Sequence, residues 1–291
     1  MQIDIKEIHQ GWLNGFIGMI VFAGSLPATC VAVQGFSPEF LTGARACIAA
    51  VLALILLTIS KQPKPSTQQL KSLCITSAGV VVGFPLFSAL ALQTITAAHS
   101  LVFVALLPLA TAFFAVLRAK EMPKNAFWIY ASIGSSLVIF FMLYQSGLEG
   151  VSLGDLYIII AVLLCGLGYA EGGVLSRTLG GWQVICWALV IALPIMLPLF
   201  WIYFPQNFNN IPLSSYIGLA YVSIFSMLIG FFFWYKGLAL GGIAKVGQIQ
   251  LVQPFIGLMF CAALLNEQIS FLMVAVSLAV VGCVVMAKKY A

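Results

Sequence analysis

LPLATAFFAVLRAKE, residues 107–121, occurs in the chain twice. Residues 253–267 read QPFIGLMFCAALLNE, and a shift of 146 residues lays Pro108 on Pro254 and Glu121 on Glu267. The same shift, without a gap, pairs Phe87 with Phe233, Leu92 with Leu238 and Ala98 with Ala244. Each copy reads as an apolar helix with a proline inside and a glutamate at its exit, followed by one more apolar helix. An internal repeat governs how the rest of the chain is divided.

Composition places the chain in a lipid bilayer. It is 62% hydrophobic and 7% charged, where soluble domains are roughly 45–50% apolar and about 25% charged. The net charge of +5 includes no basic run longer than Lys288-Lys289, which excludes a nucleic-acid partner. The seven cysteines all fall in apolar stretches, none in a CxxC or other metal spacing. They read as small core residues, with no disulfide framework, metal or cofactor.

Spans of about 20 predominantly apolar residues are expected near residues 12–33, 38–60, 72–92, 97–117 and 126–144 in the first half. The second half repeats them near 153–173, 182–204, 213–238, 243–265 and 269–287. Small residues between Ala23 and Ala32 faintly resemble a signal-peptidase site, but the length and the spans that follow favour an uncleaved helix. A shift of 143 superposes the first two spans of each half, and three extra residues then bring it to 146. The expectation is an all-α integral membrane protein of ten transmembrane helices, arranged as two inverted five-helix repeats over residues 1–146 and 147–291.

Charge placement sets the orientation. With both termini in the cytoplasm of a bacterial-type cell, every Lys and Arg except Arg45 lies at the inner side of the inner membrane, as the positive-inside rule requires. An odd number of spans per repeat forces the copies to run in opposite directions. Arg118, Lys120 and Lys124 of the first copy accordingly correspond to Leu264, Asn266 and Ser270 of the second. Inverted repeats are a transporter signature, because near-equivalent halves can exchange conformations around a shared cavity.

Ten spans in two inverted halves, each with Pro-x₁₂-Glu across its fourth span, resemble the drug/metabolite transporter superfamily, specifically its EamA-type branch. The arginine of GARACIAA, residues 43–50, is similar to one often found in span two of that family. The resemblance covers essentially the whole chain. It implies an inner-membrane carrier with a central cavity lined by both halves, often an exporter of amino acids or related metabolites. Where many relatives have a tryptophan in span one, this chain reads FAGS, residues 22–25, so the resemblance does not carry the substrate over.

Several residues are candidates for touching cargo. Arg45 lies about 9 Å inside span two at 1.5 Å per residue, and a charge there marks function by default. It either holds a substrate carboxylate in a bidentate pair or packs against helix-end carbonyls or Glu39. Gln250 and Gln253 lie on one polar, small-residue stripe of span nine, while their repeat mates Val104 and Leu107 are apolar. The stripe is a cavity wall or a set of interhelical hydrogen bonds. Tyr169, within GLGYAEGG, and Trp187 are stacking candidates; the glycines around Tyr169 suit close helix packing. Pro108 and Pro254 each leave a carbonyl without its helical partner, as gate hinges or as static kinks. His99 and Lys245 are mates at opposite surfaces, either guarding the two mouths or simply solvated and snorkelling. Glu121 and Glu267 are expected to fix the turn into the next span by bonding its exposed amides. Glu171 is expected to pair with Arg177 or Lys245, and the aromatic run 231–235 to form an interface belt.

No Asp or Glu lies near the midpoint of any span, which removes the usual proton-coupling carboxylate and the usual partner of a cationic drug. Neutral, zwitterionic or anionic cargo is therefore favoured, with a multidrug or cation efflux pump as the alternative and a non-transporting membrane scaffold as the second. The sequence contains no HExxH, GxSxG or P-loop, so it offers no enzyme chemistry. The expected partners are a small-molecule substrate and the lipid bilayer, with a homodimer left open.

Overall fold

The structure is a computed structural model and describes residues 5–145, 152–265 and 270–290. Every regular element among them is helical. Eight helices are long and apolar enough to cross a membrane: α1 (Glu7–Ala32), α2 (Pro38–Ile59), α3 (Thr67–Ala91), α4 (Ala97–Ala119), α6 (Leu153–Leu179), α7 (Gly181–Ile202), α8 (Leu213–Gly241) and α9 (Ile243–Leu264). Two more helices, α5 (Asn125–Gln145) and α10 (Phe271–Tyr290), stand where the fifth and tenth spans were expected. A bilayer offers the backbone no hydrogen bonds, so helices that satisfy themselves are what this composition forms.

Local chemistry fixes where the helices start. Ser37 accepts from the Phe40 amide with Pro38 in the first turn, Ser66 and Gln69 form a capping box, and so do Ser152 and Asp155. These polar starts explain why α3 begins five residues before its apolar stretch. Similarly, α6 continues past Gly173 to the turn at Gly180. Gly180 and Gly242 join α6 to α7 and α8 to α9 at φ 97° and 88°, a left-handed conformation that glycine adopts without strain.

The packing follows the repeat. Mates pair with mates, α2 with α7 and α5 with α10, while α1 lies along α8 as its counterpart α6 lies along α3. A pseudo-two-fold axis relating the halves produces this pattern. The contacts are close because they are lined with glycine: a Cβ on Gly11 would stand 2.6 Å from the Gly241 nitrogen, and one on Gly237 2.6 Å from the Gly15 nitrogen. Small residues at helix crossings let backbones approach in a bilayer.

Five of the long helices are irregular: α1 is interrupted at Gly24, where its mate α6 runs unbroken, and the other four come in mate pairs. Residues 77–83 of α3 and 221–229 of α8 are π-helical. The bond from Phe84 N–H to Gly79 O in α3 has its mate, from Gly230 N–H to Phe225 O, in α8. In α4 the Leu106 amide bonds back only three residues, to Phe103 O. In α9 the Val252 amide does the same to Ile249 O. Each tight turn comes just before the proline pair partner, Pro108 or Pro254. The proline expected to disturb each helix therefore does so one turn ahead of itself. The π segments have no such herald in the sequence.

Candidate functional site

A cavity lies at the centre, walled by residues of α1, α2, α3, α4, α6, α8 and α9. Its wall consists largely of repeat mates: Phe22 with Cys165, Leu26 with Tyr169, Val80 with Ser226, and Leu107 with Gln253. The cavity therefore sits on the pseudo-two-fold axis. The two halves line it unequally. The second gives Cys165, Tyr169, Ser226 and Gln253; the first gives four apolar residues there, plus Arg45 and Ser25. About 20 Å³ is open to the centre of a water-sized sphere, room for one or two waters, so the conformation is nearly closed around it.

Arg45 is 3% exposed and makes no ion pair among the described residues. Its guanidinium donates to Ser226 Oγ over a long 3.5 Å, and Ser226 donates on to Ser25 Oγ at 2.9 Å. The Arg45 Nε is buried and unpaired, as is the Gln253 Oε1 in the same cavity. An orphan donor and an orphan acceptor facing one space call for something to be placed between them. None of the residues lining the space is acidic. Neither the pairing with Glu39 nor helix-end carbonyls accounts for the guanidinium.

One wall is aromatic. The Phe22 ring lies 6.1 Å from that of Tyr169 and 4.9 Å from that of Phe231, and Trp234 closes the cluster at 5.2 Å from Tyr169. Phe231, Trp234 and Tyr235 are buried, so the run 231–235 is not the interface belt its position suggested. Only Phe232 and Phe233 face the outside of the bundle, in a crevice with Lys236 and Trp182. Tyr235 donates to Gly168 O at 3.1 Å, and its ring occupies the space that a Cβ on Gly172 would need. Gln250 is fully buried, near the Tyr169 hydroxyl, with both amide atoms lacking a well-formed hydrogen bond. It stands behind the cavity wall rather than in it. Trp187 packs on the core from α7 and lines no part of this cavity.

The remaining expected residues lie at the helix ends. His99 is not solvated: its Nε2 meets Asp155 Oδ1 at 2.8 Å, where Asp155 also accepts from the Ser152 amide in the α6 cap. At the end of the bundle that carries the basic residues, Glu171 pairs with Arg118 rather than with Arg177 or Lys245. Arg177 instead donates to Glu121 Oε1 at 2.9 Å. Glu121 does cap a helix, but not the following one. It accepts from the Ile243 and Ala244 amides, at 3.1 and 2.8 Å, at the start of α9 in the other repeat. The left-handed turn at Lys120, φ 55°, sends the chain that way rather than directly into α5. Lys245 is exposed, in a crevice of about 770 Å³ that also holds Glu7, Glu121 and Arg177. Pro108 and Pro254 are both buried, and Glu267 lies outside the described residues.

Sequence reasoning did not place Ser25, Ser226, Phe22 or Phe231 at the site: Phe22 and Ser25 were noted only within FAGS and Phe231 only as interface belt. The shifts of 143 and 146 lead instead from the candidates Tyr169 and Gln253 to their mates Leu26 and Leu107, which do line the cavity; the mates of those four residues carried no signal of their own. Comparison with known proteins agrees with the architecture. The EamA-like transporter family model matches residues 9–144 and again 152–288. A relative from Bacillus subtilis (strain 168), the uncharacterized transporter YdeK, is 55% identical over 287 residues, covering 99% of this chain and all of that one. A solved crystal structure superposes with a TM-score of 0.74 at 15% identity over 97% of this chain and 99% of its own. At that identity the likeness speaks for the fold alone. The duplicated match, over nearly the full length and in step with the repeat, makes this chain a member of the EamA-like transporter family.

Proposed function

We infer that this transporter is an alternating-access carrier for a small metabolite bearing a carboxylate, an α-amino acid or related zwitterion before any other class. The observation that carries the reading is the cavity on the repeat axis with one uncompensated guanidinium in its wall. A carboxylate there gives Arg45 the bidentate partner that the protein itself withholds. The unpaired Gln253 oxygen then suits the ammonium end of the same molecule, and the aromatic wall suits an apolar side chain.

Moving such a cargo requires the nearly closed cavity to open alternately at each end. The broken helices α4 and α9 supply the places where backbone rearranges most cheaply, with Pro108 and Pro254 as hinges. Counting α5 and α10 as crossings gives ten spans, with both termini on the cytoplasmic side of a bacterial inner membrane. Export is the direction that the family resemblance implies.

The test is uptake of labelled amino acids into proteoliposomes, with and without a pH gradient, beside a cationic dye. Saturable amino-acid flux that other zwitterions compete away is the expected result. Gradient-driven dye movement without amino-acid flux would replace this reading with drug efflux. Failure of every solute to move, with Gln253 closed to water-borne reagents when replaced by cysteine, would favour a scaffold.

A further inference from the structure

Between α1, α9 and α10 a groove of about 440 Å³ runs along the side of the bundle, sharing no residue with the central cavity. Leu13 and Phe16 form one wall, Val281 and Val285 the other, and Ile249 and Gln248 lie in the floor. Leu13 and Val285 are 60% and 61% exposed. Such a strip is costly in water but sits within the spans, where its surroundings are acyl chains. Apolar exposure of this kind is ordinary on a membrane protein. What sets the groove apart is its mouth and its floor.

At the basic end, His9 lies one turn before Leu13 and Lys289 one turn beyond Val285, both exposed. The Lys289 ammonium lies 5.9 Å from the centre of the Tyr290 ring, a loose contact, and makes no ion pair among the described residues. Glu7, the nearest acid on α1, lines the crevice with Lys245 instead. In the floor, Gln248 is 5% exposed and its Oε1 has no partner. It stands about 8 Å along α9 from its start, close to the basic end.

We propose that this groove binds one acyl chain of an anionic phospholipid, whose phosphate is held at the mouth by Lys289 and His9. Basic groups beside an interhelical groove select anionic head groups over zwitterionic ones. The site has a consequence for transport. Its floor is the 3₁₀ turn Gln248–Leu251, directly ahead of the break at Val252, so a seated chain packs behind the segment that carries Gln250 and Gln253. Its occupancy limits how far that segment can swing.

Trp12 lines the same groove and supplies the readout. The full-length protein in detergent micelles is titrated with brominated-chain phosphatidylglycerol or phosphatidylcholine, and the Trp12 signal is the difference between wild type and Trp12→Phe. The glycerol lipid is expected to quench Trp12 at about fivefold lower mole fraction per basic group engaged. Lys289→Gln should shrink that preference, as should raised salt. Equal quenching by both lipids, unchanged in Lys289→Gln, would mean ordinary boundary lipid and overturn the proposal. Absence of quenching by either lipid, in a particle the size of a dimer, would overturn it in favour of a second copy of the chain. The readout is binding, so it stands whatever the cargo proves to be.

Discussion

At the scale of single residues, the interior contains polar atoms that contribute little to holding it together. Gln250 is fully buried with neither amide atom well bonded, and an unsatisfied buried amide costs about 1–3 kcal/mol. Gln250→Leu should therefore leave the melting temperature unchanged or raise it, as thermal unfolding beside the wild type checks. A clear fall in melting temperature would show that the amide is structural glue. Arg45 follows the same logic. Losing a charge-assisted pair to cargo removes about 1.5–3 kcal/mol, so Arg45→Gln should reduce flux by about ten- to hundredfold without unfolding the protein. The sequence made Arg45 and the glutamines visible because a charge or amide stands out in an apolar span. It left their surroundings illegible, since Ser25, Ser226 and Phe231 look like any other residue of a bilayer helix.

At the scale of elements, the chain is held together by contacts that sequence distance conceals. Glu121 holds two amides of α9 and one arginine of α6, whereas its place at the exit of α4 pointed only to α5. Glu121→Gln should lower stability by about 1–3 kcal/mol, because buried and half-buried donors lose a charged acceptor. Arg177→Gln should cost under about 1 kcal/mol, since that side chain is exposed enough for water to screen the pair. Thermal unfolding of the two variants side by side checks the order. If they cost the same, the ion pair and not the helix cap is what matters. Glycines offer a second contrast. Gly172→Ala forces a methyl into the Tyr235 ring and should cost about 1–3 kcal/mol. Gly282 has nothing within 4 Å of its would-be Cβ, so Gly282→Ala should stabilise α10 by up to about 1 kcal/mol. The glycines of α6 were readable as packing residues because small side chains have few other uses inside a span. The π segments of α3 and α8 were not, because an i→i+5 turn leaves no mark on hydropathy.

For the whole molecule, the decisive fact is that the repeat visible in fifteen residues around Pro108 extends to the packing, to the paired irregularities of α3, α4, α8 and α9, and to the cavity wall. Hydropathy made the apolar helices and their order legible, since these depend only on length and composition. It did not give the meeting of α4 with α6 and α9, which depends on three-dimensional pairing across the axis. Within the axis cavity the halves have diverged: at the paired wall positions one is apolar, while the other carries Cys165, Tyr169, Ser226 and Gln253, and the arginine comes from the first half alone. On the proposed reading, that divergence is where cargo chemistry belongs. Counterflow tests this most directly: proteoliposomes are loaded with an unlabelled zwitterionic amino acid, and entry of the labelled form is followed for wild type and Arg45→Gln. The account predicts transient accumulation of label above equilibrium in wild type and about ten- to hundredfold slower entry in the variant. Entry that never exceeds equilibrium, or that is equally fast without Arg45, would contradict a carrier that takes its cargo by this guanidinium.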